Sequence, residues 1–280
     1  MRGLLSIGIL SVFLMTMLMP ISYAYEIYPG PGGGYVFYPV ITENDAGYAY
    51  NISGITFVTT LVNLTGTFSY NSSEGGAVQI VAYYIALGKL IYSEQYGYTA
   101  YYIQPVIAFM TDGNEWFLIG AIQAWGDNGG NPYEEYNTSV VIIDGGGSTV
   151  HLNYVYNLTI KAITNSQGEI TSAYVYVEQC QPYKVLVFSD NINLKYPIPD
   201  KQVFFEVEDP PGYPFPVIPS NNYVFTHALA SNSTATYIGP PLYNGVCFIM
   251  YPPYAYAFVA PTLNCPTVTQ AGSQGVHYYW

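Results

Sequence analysis

Gln202-Val203-Phe204-Phe205-Glu206-Val207-Glu208 is the stretch from which the fold can be read. A period of two puts Gln202, Phe204, Glu206 and Glu208 on one face of a strand and Val203, Phe205 and Val207 on the other. Residues 99–110 behave in the same way, with Gln104 sharing a face with Tyr102 and Val106. Further runs rich in Val, Ile, Tyr, Phe and Thr fall at 35–40, 55–62, 76–87, 115–125, 139–143, 149–162, 170–179, 184–189, 223–228, 245–250 and 254–260. Turn clusters separate them, among them Asp112-Gly113-Asn114, Asp127-Asn128-Gly129-Gly130 and Asn165-Ser166-Gln167-Gly168. No segment carries a helical apolar stripe of about ten residues or more. The pattern predicts an all-β fold, an antiparallel β-sandwich of jelly-roll type.

The ends of the chain read differently. Arg2, the apolar stretch Leu4 to Met19 and the small-x-small site Ser22-Tyr23-Ala24 make 1–24 a signal peptide, so the mature protein is expected to be secreted or held at the cell surface with no membrane span. Residues 25–34, ending Gly30-Pro31-Gly32-Gly33-Gly34, read as a flexible leader. A single β-sandwich domain is expected over 35–280, since no repeat recurs at a fixed period. Proline crowds the stretch Pro210-Pro211-Gly212-Tyr213-Pro214-Phe215-Pro216, which predicts an extended loop and makes the segment after 217 a candidate C-terminal extension.

Charge is scarce, 9% of residues. Beyond Arg2 the basic residues are Lys89, Lys161, Lys184, Lys195 and Lys201, against 18 acidic ones. Phosphate neutralisation needs clustered Lys and Arg, so nucleic acid is excluded as a partner. A polar surface built from Tyr, Asn, Ser and Thr keeps its hydration when carboxylates protonate, and five lysines bring little self-repulsion at low pH. We read this as adaptation to an acidic exterior, the setting of a thermoacidophile.

Sequons at Asn51, Asn63, Asn71, Asn137, Asn157 and Asn232 fit an exported glycoprotein. Of the three cysteines, Cys247 and Cys265 are the expected disulfide, closing a hairpin-sized loop; Cys180 paired with one of them is the alternative. No metal and no other cofactor is expected. His151, His227 and His277 lie far apart in unrelated contexts and show no zinc-ligand spacing. Ser148 lacks a nucleophile elbow and a base motif. Ile142-Ile143-Asp144-Gly145-Gly146-Gly147-Ser148 has glycine where an aspartic peptidase carries a hydroxyl residue and has no second copy, so an Asp-Gly turn between strands explains it better.

Gln104 and Glu208 are the candidates that carry chemistry. A carboxylate can activate water and a neutral amide can stabilise the resulting oxyanion, with no metal or histidine. Glu206, about 7 Å along the strand from Glu208, is close enough for mutual repulsion. The alternative for both strands is an ordinary solvent face.

The order of Ile103-Gln104, Asp112-Gly113, Glu115-Trp116-Phe117 and Val207-Glu208-Asp209 resembles that of the glutamic peptidases, the eqolisins. The likeness spans about residues 76–210, with Pro105 after the glutamine and Glu206 at a usually apolar position. It implies a concanavalin-like sandwich whose concave face holds Gln104 and Glu208 as the catalytic dyad of a pepstatin-insensitive acid endopeptidase acting on polypeptide. Tyr102, Trp116 and Glu206 would then line the substrate groove. Tyr101-Tyr102-Ile103-Gln104-Pro105-Val106 is also similar to the Tyr-Trp-x-Gln-Asp-Val of thermopsins, archaeal acid proteases. The rival reading is a non-catalytic secreted β-sandwich that binds glycans or assembles into a surface coat.

Overall fold

The computed structural model describes residues 25–29, 35–39, 45–50, 54–93, 97–137, 140–200, 202–208, 213–214, 216–219, 225–232, 236–238, 246–249 and 258–259. All regular structure among them is β. In chain order the strands are β1 (Tyr25–Pro29), β2 (Tyr35–Pro39), β3 (Asp45–Tyr50), β4 (Phe57–Ser69), β5 (Gln79–Ser93) and β6 (Gly97–Thr111). Then come β7 (Trp116–Asn128), β8 (Asn131–Asn137), β9 (Val141–Gly146), β10 (Thr149–Thr164), β11 (Glu169–Gln181) and β12 (Val185–Pro199). β13 (Gln202–Glu208), β14 (Phe225–Ser231), β15 (Thr236–Ile238), β16 (Val246–Ile249) and β17 (Phe258–Val259) complete the set.

Two antiparallel sheets form a sandwich. One has the order β12-β11-β10-β4-β14-β15; the other runs β17-β16-β3-β13-β5-β6-β7-β8, with β9 pairing the first half of β7. Their facing sides share one core. From the smaller sheet come Val58, Val62, Leu158, Ile160 and Val175, and from the larger Val81, Ile85, Ile103, Leu118, Val203 and Phe205. Alternation drives this. In β11, Ile170, Ala173, Val175 and Val177 are buried between half-exposed neighbours, as expected of a sheet with one wet face.

The middle of the larger sheet is covered on its outer face as well. Residues 79–88 of β5 and 101–111 of β6 are buried without alternation. A second apolar cluster covers the side turned away from the core: Ile80, Ala82, Tyr84, Ala86, Tyr102, Val106, Ala108, Met110, Ile119 and Trp125, with Phe117, Phe204 and Tyr213 packed against it. The chain after β13 returns to this sheet, where Pro214 accepts a hydrogen bond from the Ile80 backbone, 3.2 Å.

Polar contacts tie the sheets together at one side. The Glu135 carboxylate of β8 accepts from the backbone N–H groups of Lys195 (2.9 Å) and Tyr196 (2.7 Å) on β12. Tyr136 donates to Asp190 between the same two strands. Tyr154 of β10 donates to Asp144 of β9, 2.6 Å.

Several expectations change. Residues 25–34 are not all leader, because Tyr25–Pro29 pairs with Tyr35–Pro39 in a separate two-stranded sheet. β3 was hidden in a short stretch whose pairing comes from the distant β13, and β8 and β15 are short strands that pair with the strands just before them. β12 extends to Pro199, well past 189. Asp144 lies within β9, and the turn falls at Gly147-Ser148. No helix among the described residues is long and apolar enough to cross a membrane. The signal segment 1–24 lies outside the described residues.

The Asp144–Tyr154 contact sets a pH expectation. Its hydrogen bond first, and burial second, push the Tyr154 hydroxyl up to about 12. The folded state thus holds this proton more tightly than the unfolded chain. The contact's contribution is whole below about pH 10 and is lost as pH rises through about 12. Asp144→Asn should bring the Tyr154 ionisation down towards about 10, read by phenolate absorbance against Tyr154→Phe.

Candidate functional site

Register places the candidate residues on one sheet. β5 lies between β13 and β6, pairing Phe204 with Ala86, Glu206 with Tyr84 and Glu208 with Ala82. On its other side Tyr84 pairs with Val106 and Leu87 with Ile103, and the ladder is interrupted between them, opposite Gln104-Pro105. Proline has no N–H to donate, so a proline inside a central strand breaks the ladder beside it. The register is unchanged across the gap, which puts Gln104 in the row of Ala86 and Phe204. Gln104 pairs with Gln123 of β7, and Gln123 pairs with Asn137 of β8.

Three rows cross the outer face. Gln202, Gly88, Tyr102, Trp125 and Glu134 make the first. The second is Phe204, Ala86, Gln104, Gln123 and Asn137, and the third is Glu206, Tyr84, Val106 and Ala121. Small residues stand along the middle, Gly88, Ala86 and Ala82 on β5. At Gly88 an added Cβ would meet the Tyr101 carbonyl oxygen at 1.9 Å, so β5 and β6 approach here as only glycine permits.

Gln104 is 6% exposed and Gln123 2%. The Gln104 Nε2 donates to Gln123 Oε1 at 2.8 Å. Gln202 is buried on the same face. Around these neutral amides stand Tyr84, Tyr102, Trp125 and Phe204. At the far side of the face, burial holds the Glu134 carboxyl above the usual carboxylate range. Among the described residues no group of His, Cys, Asp and Glu could hold a metal ion.

The structure thus brings positions 104, 206 and 208 to one face of one sheet, with a strand between them. With strands about 4.8 Å apart and about 3.4 Å per residue, the Cα atoms of 104 and 206 are roughly 12 Å apart and those of 104 and 208 roughly 17 Å. Position 208 lies directly across from Asp45 of β3, and position 206 across from Gly47. Tyr102 is on the Gln104 face as expected. Trp116 is not. It packs in the core between the sheets, stacked on Phe109 at 6.1 Å, because the hairpin pairs it with Thr111, an odd number of residues from Gln104. Trp125 is the tryptophan of the outer face.

Sequence reading missed Gln123, although the signal was present: eight residues out from each side of the Asp112–Glu115 turn lie Gln104 and Gln123. The sequon asparagines Asn63, Asn71, Asn137, Asn157 and Asn232 are all half-buried, and Asn51 lies outside the described residues. Asn157 Oδ1 accepts from Thr59 (2.7 Å) and Thr159 (3.2 Å), and the Asn137 side-chain nitrogen is buried. Cys180 is a free, half-buried thiol held up by burial; Cys265 lies outside the described residues, so the Cys247–Cys265 pairing does as well.

No protein-family model matches the chain, and no curated protein matches it. Among solved structures it is similar to Scytalido-glutamic peptidase bound to a peptide-based transition-state analogue, at 14% identity and a TM-score of 0.45, over 69% of this chain and 82% of that one. It is also similar to SCP-B, a member of the eqolisin family of peptidases, in complex with the tripeptide Ala-Ile-His, at 13% identity and a TM-score of 0.43 with the same coverage. A legume lectin-like domain from Entamoeba histolytica matches at 12% identity and a TM-score of 0.29, over 66% of this chain and 85% of that one. The likeness to thermopsins finds no counterpart among these. The roles of individual residues rest on this chain's own geometry.

The buried amide pair has a measurable energy. Gln104→Leu should lower stability by about 1–3 kcal/mol, because it removes a buried donor from Gln123. Gln123→Leu should then cost less in the Gln104→Leu background than in wild type, a coupling read by urea denaturation of both single variants and the double variant.

Proposed function

We propose that this protein is a secreted acid endopeptidase working on the outer face of its larger sheet. The carrying observation is Gln104, a buried neutral amide at the middle of an apolar face, with carboxylate positions on the same face two strands away. In this reading an ionised carboxylate of β13 takes a proton from water, which attacks the scissile carbonyl. The free N–H of Gln104 donates to the developing oxyanion, a contribution of roughly 2.7–4 kcal/mol in comparable sites. The carboxylic acid then returns the proton to the leaving amine.

Register favours Glu206 as that carboxylate. A glutamine and a glutamate each extend about 5 Å from Cα through bonds of about 1.5 Å. Cα atoms roughly 12 Å apart therefore leave a gap that water and substrate span more readily than one of roughly 17 Å. Glu208, the position that the glutamic-peptidase resemblance points to, is the competing assignment. Aromatic walls from Tyr84, Tyr102 and Phe204 suit substrates with apolar side chains.

A second reading has its own observation. The β13 residue in the row of Gln104 is Phe204, and aromatic rings interleaved with neutral amides suit a neutral polymer such as a glycan. Export, glycosylation and an acidic habitat belong to both readings.

The test is hydrolysis of an unfolded protein substrate between about pH 2 and 5, bracketing carboxyl pKa values. Wild type should cleave, Glu206→Gln should lose at least about 100-fold in kcat, and Glu208→Gln should keep activity with an altered pH profile. A dead Glu208→Gln with an active Glu206→Gln would return the base to 208. No cleavage by wild type, together with retention on a neutral polysaccharide, would establish the binding protein instead.

A further inference from the structure

The amide of a glutamine is useful to an oxyanion only if its N–H end faces the reacting carbonyl. Oxygen and nitrogen ends have nearly the same size, and rotation by half a turn replaces a donor with a repelling oxygen. Something must therefore hold Gln104 in one sense. No charged group stands in its row. Its neighbours there are Phe204 beyond Ala86 on one side and Gln123, then Asn137, on the other.

We infer that Gln123 is a positioning residue, which fixes the amide of Gln104 with its nitrogen end towards β7 and one N–H left over for an oxyanion. This rests on the peptidase reading of the site. Gln123 Oε1 accepts from Gln104 Nε2 at 2.8 Å, and the two residues are 2% and 6% exposed, so little water competes for the bond. An amide nitrogen has two N–H groups, and this bond uses one. Because the amide is planar, fixing one N–H also fixes the direction of the other. The strands favour the contact. Gln104 and Gln123 are direct cross-strand partners, whose Cβ atoms lie about 4.5–5.5 Å apart in an antiparallel pair. Asn137, the next residue in the row, has its side-chain nitrogen buried, so the row of carboxamides continues away from solvent.

The direction of the bond makes the inference testable by chemistry. A glutamate at 123 can still accept from Gln104, whereas a methionine of similar length cannot. Gln123→Met should lower kcat at least about 10-fold with KM within about 2-fold, because the loss concerns a group that acts in the transition state. Gln123→Glu should restore kcat to within about 3-fold of wild type. Nuclear magnetic resonance of the Gln104 side-chain amide reads the same contact without turnover. In wild type one of its two protons should exchange at least about 10-fold more slowly than in an exposed glutamine, a protection lost in Gln123→Met and kept in Gln123→Glu.

Wild-type kcat in Gln123→Met, or a Gln123→Glu variant as impaired as Gln123→Met, overturns the positioning role. Equal exchange of the two Gln104 amide protons in wild type overturns it as well. The two readings fail differently. If the protein does not cleave peptides, or Gln104→Ala keeps full activity, the peptidase reading falls, while the exchange measurement still decides whether Gln123 orients Gln104.

Discussion

Residues 79–88 of strand β5 are buried on both faces, and the arrangement of the outer face depends on them. A strand without water on either side must satisfy its backbone within the sheet, so β5 needs continuous partners, β13 on one edge and β6 on the other. That requirement sets the distance between the Gln104 strand and the strand of Glu206 and Glu208. In the row of Gln104 the β5 residue is Ala86, which keeps that row low between Gln104 and β13. Pro105 makes one local exception in β6. It costs the ladder its regular partners opposite Ile85 and Ala86, beside the residue to which we assign chemistry.

Neutral groups dominate this face, and that choice has an electrostatic logic. A lysine or arginine at the position of Gln104 would have to be buried as a charge, at a desolvation penalty far above that of an amide. An amide holds its donor at any pH. A carboxylate base, in contrast, works only where it is ionised, so the acid limit of such a site is set by its carboxylates alone. Glu134, across from Trp125 and held above the usual carboxylate range, stays protonated further into the weakly acidic range than an exposed glutamate.

Legibility followed periodicity. β11 could be read directly because it buries alternate residues, β13 because its sequence alternates, and the shared face of Gln104 with Tyr102 followed from the same period. The burial of β5 over 79–88 and of β6 over 101–111 does not alternate, since both faces are covered there, and the extent of both strands was underestimated. β3 owes its existence to β13, far away in sequence. Trp116 shows a different limit. Adjacent aromatic residues in a strand occupy opposite faces, and only the hairpin register says that Phe117 takes the outer one. The same register would have found Gln123. The interposed β5, which brings Glu206 closer to Gln104 than Glu208, was out of reach, because nothing local links residues 79–88 to 202–208.

The central claim is that Gln104 and a β13 carboxylate address one reacting centre across β5. Its most direct test is the distance between the Gln104 side-chain amide and the Glu206 carboxyl in a crystal structure determined at acid pH. The account predicts that the two lie within about 6 Å, bridged by one water. A separation beyond about 10 Å with no water between them, or a carboxyl turned away from the Gln104 face, would contradict it.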